Sequence, residues 1–156
     1  MSVPPKVRTC LWFEKGGLEA AEFYVTLLPD SFIESSYTPP GAAEPLHLEF
    51  TLAGAAYQII NGGPHFKLSP AASISVLTED QAETDRLWSA LLANGGEESQ
   101  CGWLFDRFGL SWQIVPKALM SAVTTKDAAA AERAKQAMYK MRKIDIDVIE
   151  AALHGN

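Results

Sequence analysis

The stretch SQCGWLFDRFGLSWQIVPK, residues 99–117, packs a cysteine, two tryptophans and a glutamine into a short apolar run. Two readings compete for it: an active site built around Cys101, or the closing hairpin of a β-sheet. The internal pattern carries the hairpin. GWLFD (102–106) and LSWQIV (110–115) are rich in aromatic and β-branched residues. Between them DRFG (106–109) reads as a turn with glycine in its last position. EESQC (97–101), just upstream, is a third extended segment. Alternation then sorts the last strand: if Gln113 faces one side, Ser111 and Val115 join it, while Trp112 and Ile114 pack beneath helices.

Upstream, AASISVLT (71–78) reads as a strand and AETDRLWSALLAN (82–94) as a helix burying Leu87, Trp88 and Leu91. A capping box opens that helix, either Thr78 with Gln81 or Asp80 with Glu83, and Gly95 with Gly96 gives a left-handed stop. The same series stands earlier in the chain. VRTCLWFE (7–14) is a strand broken by Gly16 and Gly17. LEAAEFYVTLLPD (18–30) follows as a helix with Leu18, Ala21, Val25 and Leu28 on one stripe, stopped by Pro29. SFIESSYT (31–38) is a strand, and PPGAAEP (39–45) a loop. In LHLEFTL (46–52), Leu46, Leu48, Phe50 and Leu52 alternate with His47, Glu49 and Thr51, the pattern of a half-buried strand. AGAA turns the chain into YQIIN (57–61), and GGPHFKLSP (62–70) is a loop.

Strand, helix and three strands therefore occur twice, with no obvious residue identity between the halves. After Pro116 the composition changes. TTKDAAAAERAKQAMYKMRK (124–143) is Ala-rich, with Ala130, Ala134, Ala137, Met138 and Met141 along one side, and its basic end suits a helix C-terminus. A short helix from Asp145 to Leu153 ends at Gly155. The reading is an α+β protein of one domain, residues 1–156, built from two βαβββ modules (about 6–63 and 70–116) and a C-terminal helical extension (about 117–154).

Composition narrows the function classes. A chain of 156 residues that is 47% hydrophobic can bury one solid core. A formal charge of -6 leaves no basic field for nucleic acid or an anionic membrane surface. No run is long and apolar enough to span a bilayer, and MSVPPKVRTCLWFE lacks the apolar core of a signal peptide. Two cysteines, Cys10 and Cys101, stand far apart and form no CxxC pair, which fits a cytoplasmic protein with reduced thiols. Walker A, GxGxxG, GxSxG and zinc-ribbon spacings are absent.

The wording of four stretches is similar to the PhnB-like family of the vicinal-oxygen-chelate superfamily, which includes glyoxalase I and the bleomycin-resistance proteins. They are LWFEKGGLEAAEFYVTLLPDS (11–31), NGGPHFKLSPAASISV (61–76), EESQCGWLFDRFGLSWQIVPK (97–117) and QAMYKMRKIDI (136–146). Members often carry a 3-demethylubiquinone methyltransferase-like label. A methyltransferase needs an S-adenosylmethionine pocket, usually a Gly-rich strand–helix turn, and the sequence shows none. The resemblance implies two modules curling their sheets into a cup, and a homodimer. Metal-using members place ligands on the first and last strands of each module; motif alignment puts Thr9, Gln58, Ser73 and Gln113 there. None is His, Glu, Asp or Cys, and alcohols and carboxamides are weak neutral ligands for a catalytic divalent ion. The expectation is therefore no metal and no cofactor.

Other candidates carry two readings each. His47 and Glu49 are an acid/base pair, half of a metal site, or a solvated strand face. His65 is a rim or lid residue, or only part of a turn. Cys101 is a nucleophile or, better supported because no His or Lys adjoins it, a small buried hydrophobe. Trp12, Trp103, Phe105 and Trp112 read as core more readily than as stacking platforms. Together these give a metal-independent small-molecule-binding cup, polar at Thr9, Gln58, Ser73 and Gln113, with His47, Glu49 and His65 around it. The rivals are a metal-assisted lyase, isomerase or dioxygenase using His47, Glu49 or His65 in a relocated site, and a structural homodimer with a vestigial pocket.

Overall fold

A strand's backbone N–H and C=O groups find partners in neighbouring strands, and the eight strands among the described residues pair in two groups of four. The computed structural model describes residues 3–155, and the chain divides into two compact units, residues up to Leu68 and from Ser69 onward. The first unit runs β1 (Thr9–Phe13), α1 (Gly17–Tyr24), β2 (Phe32–Tyr37), β3 (His47–Leu52) and β4 (Ala55–Asn61). The second runs β5 (Ser73–Thr78), α2 (Gln81–Leu92), β6 (Glu97–Glu98), β7 (Trp103–Phe105) and β8 (Ser111–Pro116). It continues into α3 (Lys117–Val123), α4 (Ala128–Met138) and α5 (Ile146–His154). The sheets have matching orders, β1-β4-β3-β2 and β5-β8-β7-β6, each with one parallel pair beside antiparallel ones. This is the expected α+β class with two βαβββ modules.

In the first unit, Leu48, Phe50 and Ile59 are fully buried, and Tyr24 of α1 sets its ring 6.3 Å from Phe50. Ala53 and Gly54, both at positive φ, make the two-residue turn between β3 and β4, the geometry that matches strand twist. The stripe expected on α1 is one residue out of phase. Gly17, Ala20, Ala21, Tyr24 and Leu27 are buried, whereas Leu18, Val25 and Leu28 are only half-buried. Close approach decides this: a Cβ at Gly17 would overlap Ile59 and Asn61, so the small residues face the sheet. Leu46, read as the first inward residue of its strand, lies outside β3 and is 45% exposed.

In the second unit, Trp112 and Ile114 are fully buried, and Leu87, Trp88 and Leu91 of α2 cover that face. The cap of α2 is the Asp80/Glu83 pair: Glu83 N–H donates to Asp80 Oδ1 at 2.8 Å, and Glu79 N–H to Glu83 Oε2 at 2.8 Å. Its stop is left-handed at Asn94 as well as at Gly95. The expected strand 97–101 shrinks to the two residues of β6, because Cys101 turns into positive φ and its N–H bonds to Met141 O at 2.8 Å. Leu119, Ala122, Ala134, Ile144 and Ile149 form a small core for the C-terminal helices, with Met138 and Met141 packed on it. Met141 lies past the end of α4. None of the described helices is long and apolar enough to cross a membrane.

Candidate functional site

Each sheet has one face under its helix and one face turned away, and Gln58, His47, Glu49, Ser73 and Gln113 fall on the second kind. Register fixes the rows of the first sheet. Cys10 pairs with Gln58, Gln58 with Glu49, and Glu49 with Ser35, so these four side chains share a face. Beside them run Trp12, Ile60, His47 and Tyr37. Thr9 does not belong to this group. It pairs with Tyr57 on the face of Leu11 and Ile59, opposite to Gln58. The expected grouping of Thr9 with Gln58 fails because neighbouring strand positions point to opposite sides. Cys10, which is exposed, is the β1 residue beside Gln58 on this face.

The face is charged and tightly paired. Arg8, its side chain 9% exposed, donates to Glu34 Oε1 at 3.1 Å and Oε2 at 2.5 Å. Its Nε lies 3.4 Å from Glu49 Oε1. A bulge between Ile33 and Ser35 is what brings Glu34 into reach of both Arg8 and Thr51, whose hydroxyl donates to Glu34 at 2.7 Å. The Arg8 hydrogen bond, then that of Thr51, holds the Glu34 carboxyl below the usual range. Glu49 also accepts from Ser35 at 3.0 Å, so its two oxygens face Arg8 and Ser35. His47 Nε2 faces Gln58 Oε1 at 3.5 Å, not Glu49. The expected His47–Glu49 pair therefore shares a face, with each residue turned to a different partner.

His65 lies exposed in the loop after β4. That loop is fastened by Trp12, whose indole N–H donates to Gly63 O at 2.9 Å and whose ring meets Phe66 edge-on at 4.9 Å. Trp12, Trp103 and Phe105 are half-buried on the faces away from the helices; of the four aromatics read as core, only Trp112 is.

The second sheet presents a face whose one charged strand residue is the exposed Glu97 on edge strand β6. Ser73 pairs with Ser111 and Ser111 with Phe105; Ser75 pairs with Gln113 and Gln113 with Trp103. Gln113 Nε2 donates to Ser73 Oγ at 2.9 Å. Ser73 and Gln113 are thus brought together on one face. Ser111, 1% exposed, has a hydroxyl with no hydrogen-bond partner among the described residues. A surface cleft of about 360 Å³ at the end of this sheet is lined by Gly95, Glu97, Phe105, Asp106, Arg107 and Gly109.

Neither implied cofactor fits these residues. Among the described residues no three His, Cys, Asp or Glu side chains come together as a metal site requires. At the β1–α1 turn, the Gly-containing strand–helix connection, two N–H donors are taken: Gly16 by Glu44 and Gly17 by Asn61, both at 2.9 Å. A carboxylate at that helix start also repels an anionic group.

A family model described as 3-demethylubiquinone-9 3-methyltransferase matches residues 5–115. No curated protein matches the chain. Among solved structures, a putative 3-demethylubiquinone-9 3-methyltransferase, a PhnB protein from Bacillus cereus, is 31% identical, with a TM-score of 0.64. The match covers 72% of this chain and 99% of that one. Protein PA1353 from Pseudomonas aeruginosa is 23% identical over 72% of this chain and 97% of its own, at a TM-score of 0.59. The fosfomycin resistance protein FosX from Mesorhizobium loti is 13% identical over 73% and 92%, at 0.52. The last two share the fold alone. The family match ends before α3, so the C-terminal helices, with the 136–146 stretch, lie outside it.

Proposed function

The chain belongs to the 3-demethylubiquinone-9 3-methyltransferase (PhnB-like) family of the glyoxalase superfamily, and from that premise we propose that it binds a small molecule without using a metal ion. The observation that carries this reading is the Gln113–Ser73 hydrogen bond on the face of the second sheet turned away from its helix. A carboxamide between strong β-formers is costly unless it has partners, and here it is held in place by one. Where the superfamily's metal chemistry needs anionic or imidazole ligands, Gln58, Ser73 and Gln113 offer neutral oxygens and nitrogens, which suit hydrogen-bonded recognition. Methyl transfer has no support in the filled β1–α1 turn. The reading includes a homodimer, from the resemblance, and a reducing cytoplasmic setting, in keeping with free Cys10 and Cys101.

A thermal-shift screen of metabolites and antibiotics, run with and without chelator, tests it. A ligand that raises the melting temperature in chelator, and does so less in Gln113→Leu, supports the proposal. Stoichiometric metal in the purified protein, with binding lost on its removal, overturns it.

A further inference from the structure

A buried hydroxyl with nothing to bond is costly, and strands rarely keep one where alanine would pack as well. Ser111 keeps one. It lies on the same face of β8 as Gln113, in register with Ser73 on one side and Phe105 on the other. Gln113 pairs in turn with Trp103. On β5, β7 and β8 the strand residues of this face, Ser73, Ser75, Leu77, Trp103, Phe105, Ser111, Gln113 and Val115, include no ionisable group, and on β6 the row ends at an exposed carboxylate, Glu97, which also disfavours an anion. Aromatic rings therefore stand beside two hydrogen-bonding side chains, with no cation to offset an anionic ligand. Burying an unpaired charge here would cost far more than burying a dipole.

We propose that Ser111 is a ligand contact, its hydroxyl left unpaired by the fold to meet a small, uncharged, planar molecule carrying a carboxamide or lactam group. This rests on the reading that the Gln113 face binds a small molecule, and names its chemistry. A carboxamide or lactam is both donor and acceptor, as Ser and Gln side chains are, so it complements the pair; its flat body suits Trp103 and Phe105.

The test is thermal unfolding of the full chain and of Ser111→Ala, alone and with millimolar benzamide or nicotinamide, against benzoate and nicotinate as charged isosteres. Ser111→Ala without ligand should melt about 2 °C or more above the wild type, because an unsatisfied buried group has been removed. The amides should raise the wild-type melting temperature and the carboxylates should not. In Ser111→Ala the affinity for the amides should fall about tenfold. A lower melting point for unliganded Ser111→Ala overturns the proposal, as does a carboxylate shift matching the amide shift, or no shift with either amide. A ligand from the broad screen that is lost in Gln113→Leu yet bound normally by Ser111→Ala would remove Ser111 while leaving the binding face standing.

Discussion

Gln113 and Ser73, forty positions apart in the chain, meet across the parallel pair β5–β8, with Gln113 Nε2 2.9 Å from Ser73 Oγ. The bond fixes the carboxamide and leaves the serine O–H free to turn. Gln113→Leu is nearly volume-matched, so the fold should survive with a loss of about 1 kcal/mol. Ligand binding should weaken about tenfold, read by titration calorimetry on the best hit from the screen. Unchanged affinity in a folded Gln113→Leu would remove this side chain from the site.

Trp12 fastens the loop that carries His65, through its indole N–H to Gly63 O and its edge contact with Phe66. Trp12→Phe keeps an aromatic ring and removes the N–H. Stability should fall by about 1 kcal/mol. Amide exchange across residues 62–66 should speed up while that of β3 stays slow. Equal protection of the loop in both proteins would show that the indole bond does not hold it.

How much of this was legible in the sequence depends on whether a segment states its own phase. LHLEFTL alternates polar and apolar residues, so His47 and Glu49 could be placed on one face from the letters alone. TCLWF runs Leu, Trp and Phe together; alternation puts Thr9 with Leu11 and Phe13, as the register does, but nothing in the letters says that this face lies opposite Gln58. On α1 the largest residues suggested the stripe, but the sheet accepts the helix only on its Gly17–Ala20–Ala21 side. The network of Arg8, Glu34 and Glu49 was invisible for another reason. It depends on a bulge in β2, and the sequence FIESSY carries no glycine to announce one.

Cys101 stands at φ +58, a left-handed conformation that a side chain disfavours, with its N–H held by Met141 O at 2.8 Å. Cys101→Ala should cost no more than about 1 kcal/mol, since the site is half-buried and the backbone bond remains. Cys101→Gly should be at least as stable as Cys101→Ala, because glycine accepts that φ freely. Urea unfolding of the three proteins checks the order. A glycine variant clearly weaker than the alanine one would mean that the side chain, not the turn, determines stability here.

The Arg8–Glu34 pair should make stability depend on pH in one direction. Glu34 has its folded pKa lowered by Arg8 and Thr51, so its contribution is complete above the ordinary carboxylate value, about 4.3, and is lost as pH falls through the lower folded value. Glu34→Gln should therefore be less stable than the wild type at pH 7, by about 1 kcal/mol. The two should converge as the solution is acidified below pH ~4. Denaturant midpoints at a series of pH values give the comparison; a gap that widened on acidification would contradict the sign.

Gln81, the first residue of α2, ties the segment between α4 and α5 to the second sheet's helix. Its Oε1 accepts from Ile146 N–H at 2.8 Å, and its Nε2 donates to Ile144 O at 3.0 Å and Asp85 Oδ1 at 2.9 Å. One carboxamide thus supplies the acceptor and the donor that a neighbouring strand would give a backbone segment, beside the fully buried Ile144. Gln81→Ala should remove both and cost about 2 kcal/mol. Gln81→Glu keeps the acceptor for Ile146 but turns a carboxylate toward the Ile144 carbonyl and the Asp85 carboxylate. With the Ile144 carbonyl and Asp85 carboxylate facing it, and Lys143 at 2.6 Å from Asp85 Oδ1 offsetting them only in part, the new carboxylate should destabilise most at neutral pH and less as pH falls and the glutamic acid regains a proton to donate. At pH 7, Gln81→Glu should unfold at lower denaturant than Gln81→Ala, and the order should reverse near pH ~4. If the two variants keep the same order at both pH values, the carboxamide is not what holds Ile144 and Ile146 in place.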